Sequence, residues 1–502
     1  MIKKRTIQEG WMFMNSRRLR GFALAALAAA LVSGCTLAPK YTRPDSPVKG
    51  AWKAGEPVPA ETPAPDAEKQ NAPAAASIAY KEFFTDAKLR NVVEMALENN
   101  RDLRVSALNL ERAQAIYRIQ RSALAPHLSA NGSQSAQKLP DSLSPTGDAY
   151  VSRRYDLNVG VSAYELDFFG RVRSLKAKAL EQYLATEQAQ TSARLTIVSE
   201  TAGAWLALAA DRERLNLAKE TLRTQEETFE MISKRASVGA ASELDRRQAE
   251  TRVEAARLDV VSYTTRVVQD ENALDLIVGA TVPEDMKPSN LELVEAQNGP
   301  VANVSAGLDS QVLLTRPDVL YAEGQLRAAY ANIGAARAAF FPRITLTGTF
   351  GTASSELGEL FKGGPAWSFI PQITLPIFDG GSNRANLDAA KIDRDIALAN
   401  YEKAIQTAFR EVSDTLAQKA RIDEQLKAQK ALLDATAETY RLSDLRYQGG
   451  IDSYLSVLDA QRSLYSAEQA RIDLRLLKLA NQVALYKALA GGTRTETEAG
   501  KK

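Results

Sequence analysis

The chain has 502 residues, and its 63 lysines and arginines stand against 61 acidic residues, a balance that gives no basis for a nucleic-acid partner. At 45% hydrophobic composition it is not a disordered chain. Cys35 is the single cysteine and His127 the single histidine, so an intrachain disulfide and a histidine-built metal site are both excluded, and neither metal nor cofactor is expected.

Arg17, Arg18 and Arg20 precede an apolar run over residues 22–32 that ends in Ser33-Gly34-Cys35. Basic residues, a short apolar run and small residues in that order form an export signal, which predicts a signal peptide over residues 1–34. The run is well short of the roughly 20 residues that a spanning helix needs. Small residues before a lone cysteine resemble the lipobox of bacterial lipoproteins, with Val32 where leucine is commoner. That resemblance implies an N-palmitoyl, S-diacylglycerol Cys35 as the first mature residue. Thr36 follows it, where aspartate does not, which in bacterial lipoproteins implies the outer membrane. Starts at Met1, Met12 or Met14 would all leave the signal in place.

Residues 35–77 are rich in proline, among them Pro39, Pro44, Pro47, Pro57 and Pro59, and lack hydrophobic period. They predict a lipid-anchored, extended leader. No later stretch approaches the 18 or so consecutive apolar residues of a spanning helix. If the chain spans a membrane, it must do so as a closed β-barrel, because lipid offers the backbone no other partner.

The body reads as an internal duplication. Shifting residues 101–132 by 216 positions pairs Asp102 with Asp318, Arg121 with Arg337, Pro126 with Pro342 and Gly132 with Gly348. A shift of 211 pairs Arg235 with Arg446, Gly239 with Gly450, Ser242 with Ser453 and Leu244 with Leu455. Two copies of a helix-strand-strand-helix-helix unit follow, over 78–298 and 299–492, with a flexible tail at 493–502.

Period-two alternation marks the strands. Tyr155, Leu157, Val159, Val161 and Ala163 alternate with Asp156, Asn158, Gly160 and Ser162; Ile344, Leu346 and Phe350 alternate with threonines; and Trp367, Phe369, Ile373, Leu375 and Ile377 alternate with Ser368, Gln372 and Thr374. Residues 127–138 give a weaker fourth strand. A membrane barrel with a wet lumen and a half-buried sheet share this alternation. Four strands cannot close a barrel when about eight are needed, so a spanning structure requires an oligomer. The loops from Leu139 to Asp148 and from Ser354 to Gly364 would then face outward. Residues 384–446 hold neither proline nor glycine, enough for about 90 Å of helix at 1.5 Å per residue. Leu458, Tyr465, Ile472, Leu479 and Tyr486 recur every seven residues, a coiled-coil repeat.

Five segments in this order resemble the outer-membrane efflux channels, most closely the lipoprotein branch that serves resistance-nodulation-division drug pumps. They are Glu98-Asn99-Asn100-Arg101-Asp102-Leu103-Arg104, Glu165-Leu166-Asp167-Phe168-Phe169-Gly170-Arg171, Gly334-Ala335-Ala336-Arg337-Ala338-Ala339-Phe340-Phe341-Pro342, Leu375-Pro376-Ile377-Phe378 and Leu458-Asp459-Ala460-Gln461-Arg462. The resemblance runs from Cys35 to about Gly492. It implies an α+β membrane protein, a homotrimer whose twelve strands form an outer-membrane barrel continued by a periplasmic barrel of helices. It also implies two partners, a periplasmic adaptor and a proton-driven inner-membrane pump, with outer-membrane lipid around the strands. Such a subunit passes drugs to the exterior and catalyses no reaction; no nucleophile here has a base at a telling spacing.

The helix-helix turns at Gly239 and at Gly449-Gly450 would lie at the periplasmic tip. Leu455 and Asp459, four apart on one helix face, match the family's constriction, so three copies would form an apolar ring and an acidic ring. Asp245 and Tyr447 match positions that tie neighbouring helices in the closed state. Ser456 stands where relatives often carry a second acidic residue. An exit duct for secreted proteins or for metal cations is the alternative within the channel class, and a periplasmic adaptor lipoprotein the alternative outside it.

Overall fold

The computed structural model describes residues 36–48, 78–144, 147–291 and 310–493. The signal peptide, Cys35, most of the leader and nearly all of the tail lie outside the described residues. The elements are α1 (Ala87–Asn99), α2 (Arg101–Ser122), β1 (Leu128–Leu139), β2 (Tyr150–Glu165), α3 (Arg171–Ser237), α4 (Glu243–Val278), α5 (Pro317–Ala338), β3 (Arg343–Ser354), β4 (Ala366–Thr374), α6 (Ser382–Gln448) and α7 (Tyr454–Ala488). From α2 onward they read helix-strand-strand-helix-helix twice, and α3 and α6 are each 67 residues long. Among the described residues no helix is long and apolar enough to cross a membrane.

Two compact units emerge, one from the described parts of 1–44, 111–186 and 322–400, the other from those of 45–110, 187–321 and 401–502. The first holds the sheet, antiparallel throughout in the order β1-β2-β3-β4. Its register lays Ala130, Val159, Phe350 and Trp367 in one cross-strand row and Ser129, Gly160, Thr349 and Ser368 in the next. Neighbouring rows point to opposite faces, so apolar side chains collect on one face and hydroxyls on the other, where Thr349 Oγ1 lies 2.6 Å from Ser368 Oγ. The apolar face is open: Phe350 is 65% exposed and Trp367 74%. A sheet packed on a soluble core would bury that face.

Three strand expectations shift. β4 stops at Thr374, short of Leu375 and Ile377, because the approach to Pro376 starts the turn into α6. β2 carries a bulge between Val161 and Tyr164, with Ala163 at φ 52° and its N–H on Thr347 Oγ1 at 3.1 Å; the alternation therefore breaks before Ala163. β1, polar and weakly patterned, is nevertheless 12 residues long, held by its ladder to β2.

The second unit has the larger core. Phe83 stacks on Tyr486 with ring centroids 4.0 Å apart, and the Tyr486 hydroxyl donates to Ile78 O at 2.9 Å. Trp205 is fully buried and donates to Met286 O. Along α7 the seven-residue repeat faces inward: Leu458, Ile472, Leu479 and Tyr486 are buried, while Tyr465 is half-buried and donates to Asp259 Oδ2 at 3.1 Å. The Arg316 guanidinium pairs with Asp318 and Glu411 and donates to Ala488 O, which compensates its buried charge.

Candidate gate and leader-docking site

Both helix-helix turns reverse on a glycine in the left-handed region, Gly239 at φ 75° and Gly450 at φ 70°. Only glycine adopts that backbone without strain. The duplicated turns are secured differently. At the first, Ser242 and Asp245 form a capping box: Asp245 N donates to Ser242 Oγ at 3.0 Å, and Ser242 N donates to Asp245 Oδ2 at 3.2 Å. At the second, Ser456 replaces the acidic partner, Ser453 caps without its side chain, and Arg446 instead reaches across the turn to Asp452, Nε to Oδ2, at 2.6 Å.

The start of α7 has two faces. Tyr454, Val457 and Leu458 are buried with Ile232 and Ala249, and Tyr440 and Tyr447 pack against that cluster. Tyr447 and Tyr454 lie 5.3 Å apart between ring centroids, and the Arg235 guanidinium sits over the Tyr447 ring at 5.4 Å. Burial pushes the Tyr447 hydroxyl's pKa up, Arg235 draws it down and Asp245 raises it again. Leu455 and Asp459 occupy the other face, with Leu455 54% exposed. Asp459 accepts from Arg462 at 3.0 Å, a partner that the sequence reading of a bare carboxylate ring had not included. The expected pair of Asp245 and Tyr447 shares one neighbourhood, but no hydrogen bond joins them among the described residues, since Asp245 is engaged by Ser242.

Four of the five family-like segments lie at junctions between elements, and the fifth, from Leu458 to Arg462, lies within α7. Asn100 closes α1 and opens α2: its Oδ1 accepts from Leu103 N at 2.8 Å, and its Nδ2 donates to Ile277 O at 2.7 Å. Asp167 caps α3, accepting from Val172 N at 3.2 Å and Arg173 N at 2.8 Å, while Arg171 forms a two-pronged pair with Glu165 at 2.8 and 2.7 Å. Asp379 caps α6 in the same way, through Gly381 N and Asn383 N. Phe169 stacks on Phe341 at 4.8 Å.

A second site was not anticipated. The start of the leader docks in the first unit, antiparallel to α5. Thr36 Oγ1 lies 3.4 Å from Ser174 Oγ, Arg337 donates to Leu37 O at 3.1 Å, and Ala38 passes so close to Gly334 that an added Cβ would stand 2.8 Å away. Farther on, Tyr41 donates to Glu323 Oε1 at 2.9 Å, and Arg43 and Arg327 pair with the same carboxylate. Glu323 is 1% exposed. Burial raises its pKa, but the donors Arg43, Arg327 and Tyr41 outweigh burial and hold the carboxyl below its usual 4.5. Burial and the neighbouring carboxylate push Tyr41 up to about 12. The signal for this site was a glutamate in the buried stripe of Val319, Glu323 and Leu326.

Among the described residues no group of histidine, cysteine, aspartate and glutamate could hold a metal ion. The profile of the family described as "Outer membrane efflux protein" matches residues 92–280 and 308–491, one segment for each run of the repeated element order. The probable efflux pump outer membrane protein TtgC of Pseudomonas putida is 48% identical over 474 residues, 94% of this chain and 96% of that protein. The outer membrane protein OprJ of Pseudomonas aeruginosa is 42% identical over 484 residues, covering 95% and 97%. Among solved structures, a membrane protein from Pseudomonas aeruginosa superposes with TM-score 0.82 at 41% identity over 91% of this chain and 98% of that one. The open state of the MtrE outer membrane channel of Neisseria gonorrhoeae superposes with TM-score 0.78 at 37% identity over 91% and 99%. With long helices, one small sheet and its sequence alike along most of their length, the chain belongs to the outer membrane efflux protein family.

Proposed function

We propose that this chain is the outer-membrane exit channel of a tripartite multidrug efflux pump, working as a homotrimer and catalysing no reaction. One observation carries the reading above the others: the sheet exposes its apolar face and turns its hydroxyls the other way, in a chain similar along its length to outer membrane efflux proteins. An exposed apolar sheet face suits lipid. β1 and β4 are edges among the described residues, and pairing each with its neighbour's opposite edge would close three chains into a twelve-stranded barrel without an open edge. The helices would extend into the periplasm, where their tips meet an adaptor protein and, with it, an inner-membrane pump of the resistance-nodulation-division class. Residues 1–34 serve as the signal peptide, and Cys35 carries the lipid that holds the 35–77 leader to the outer membrane. The two structural repeats are 78–298 and 299–492, followed by the tail.

Relatives are named as efflux proteins for toluene, solvents and antibiotics, and apolar solvents and antibiotics are the cargo proposed here. The gate is the exposed face of α7: three copies of Leu455 make a ring that resists wetting, and three of Asp459 an acidic ring toned by Arg462. Asp245 and Tyr447 serve the contacts between neighbouring helices that hold the tip closed, hinged at Gly239, Gly449 and Gly450.

Deleting the gene should raise accumulation of a fluorescent dye in intact cells that lack redundant channels, and the wild-type gene should restore the low level. Unchanged accumulation in cells shown to express the protein would shift the reading to secretion or metal export.

A further inference from the structure

We infer that the aromatic cleft where the strands meet the helices is the seat of the lipid attached to Cys35, so that an acyl chain of the anchor packs on the protein before it enters the bilayer. The inference rests on the lipidation of Cys35 proposed above and adds a binding site for it.

The cleft holds about 350 Å³ and is lined by Phe168, Phe169, Phe341, Pro342 and Pro376, with Arg171 among its polar residues. That volume is within the range of clefts that hold small ligands. Phe168 and Phe341 are each 41% exposed, apolar surface left uncovered among the described residues.

The direction of the leader points the lipid here. Arg43 and Tyr41 are fastened to Glu323, and Leu37 and Thr36 to Arg337 and Ser174. Running from Arg43 back to Thr36, the leader follows α5 toward its C-terminal end, which leads into β3. One trans peptide link, about 3.8 Å between Cα atoms, joins Thr36 to Cys35. Ser174, which meets Thr36, is three residues from Arg171, and Gly334, which meets Ala38, is four from Ala338; Arg171 and Ala338 both line the cleft. Residues three and four apart share a helix face. The docking surface and the cleft are therefore the same faces of α3 and α5, one helical turn apart. The side chain of Arg343, paired with Glu165 at 2.7 Å and 56% exposed, also borders the cleft and offers N–H donors to the ester carbonyls of a diacylglyceryl group.

The occupant is the chain's own lipid and not a bulk phospholipid, because tethering one residue from the docked leader holds it at high effective concentration. Fastening by Glu323 keeps that tether short.

The test uses the full-length protein made with its own signal in Gram-negative cells fed a palmitic acid bearing a diazirine near its end. After irradiation, digestion and mass spectrometry, the N-terminal peptide should carry lipid on Cys35, and cross-linked pairs should join it to the peptide 155–171 or to 338–343. Lipidated N-termini cross-linked only to other segments or to phospholipid would overturn the seat while sparing the anchor. Cleft peptides modified chiefly by whole phospholipids would also overturn it. An N-terminal peptide without lipid would remove both the seat and the anchor.

Discussion

At Glu323 a single carboxylate ties the leader to the body, because three donors converge on a side chain that water does not reach. Hydrogen bonds to a charged group contribute about 1.5–3 kcal/mol each, discounted here because Arg43 and Arg327 keep nearly half their side chains in water. Glu323→Ala should release the leader and speed tryptic cleavage after Lys40 about tenfold, the effect of about 1.4 kcal/mol; an unchanged rate would show that Thr36 and Leu37 hold the leader alone. The same carboxylate sets a pH limit. Its folded pKa lies below 4.5, so its contribution is complete above that value and is lost as pH falls through the depressed one. Leader amides, corrected for intrinsic exchange, should lose hydrogen-exchange protection in acid below about pH 4.5, and full protection there would contradict the assignment. Residues of this kind were only half legible in the sequence. Leu455 and Asp459 could be placed on one face from their spacing, as could Arg327, one helical turn from Glu323, but Tyr41 and Arg43 lie 282 and 280 positions from that carboxylate, and no local pattern encodes them.

Among the elements, α4 ends where its Gly279 takes φ 75° and donates to Asp275 O and Leu276 O. A Cβ there would stand 2.5 Å from Asn99 O, against backbone that cannot swing aside. Gly279→Ala should therefore cost more than the roughly 1–2 kcal/mol of a left-handed non-glycine residue, lowering the thermal midpoint by several degrees; an unchanged midpoint would mean that the junction of α1 and α2 yields easily. The elements themselves were the most legible level. An unbroken run without proline or glycine marked α6, and the seven-residue repeat marked the buried stripe of α7. Legibility failed where backbone and not side chains decides: β1 is polar yet fully paired, and the bulge of β2 at Ala163 shifts its pattern without a proline or glycine at the break. The alternation of β2, β3 and β4 told that one face is apolar but not which way it looks; the cross-strand register and the exposure of Phe350 and Trp367 carry that information.

At the scale of the whole molecule, a sheet with two edges and a bare apolar face asks for lipid and for further copies of itself. The proposed gate fits the same assembly: Leu455 and Asp459 lie off their own chain's buried cluster, and three copies around a shared axis would bring them together. The most direct measurement is single-channel recording of the purified protein in planar lipid bilayers, comparing the wild type with Leu455→Ala/Asp459→Ala. A trimeric gated channel predicts discrete openings from both, with markedly higher resting conductance in the double variant. Bilayers that stay silent with either protein, folded and inserted, would contradict the channel itself, and equal resting conductance would remove Leu455 and Asp459 from its gate.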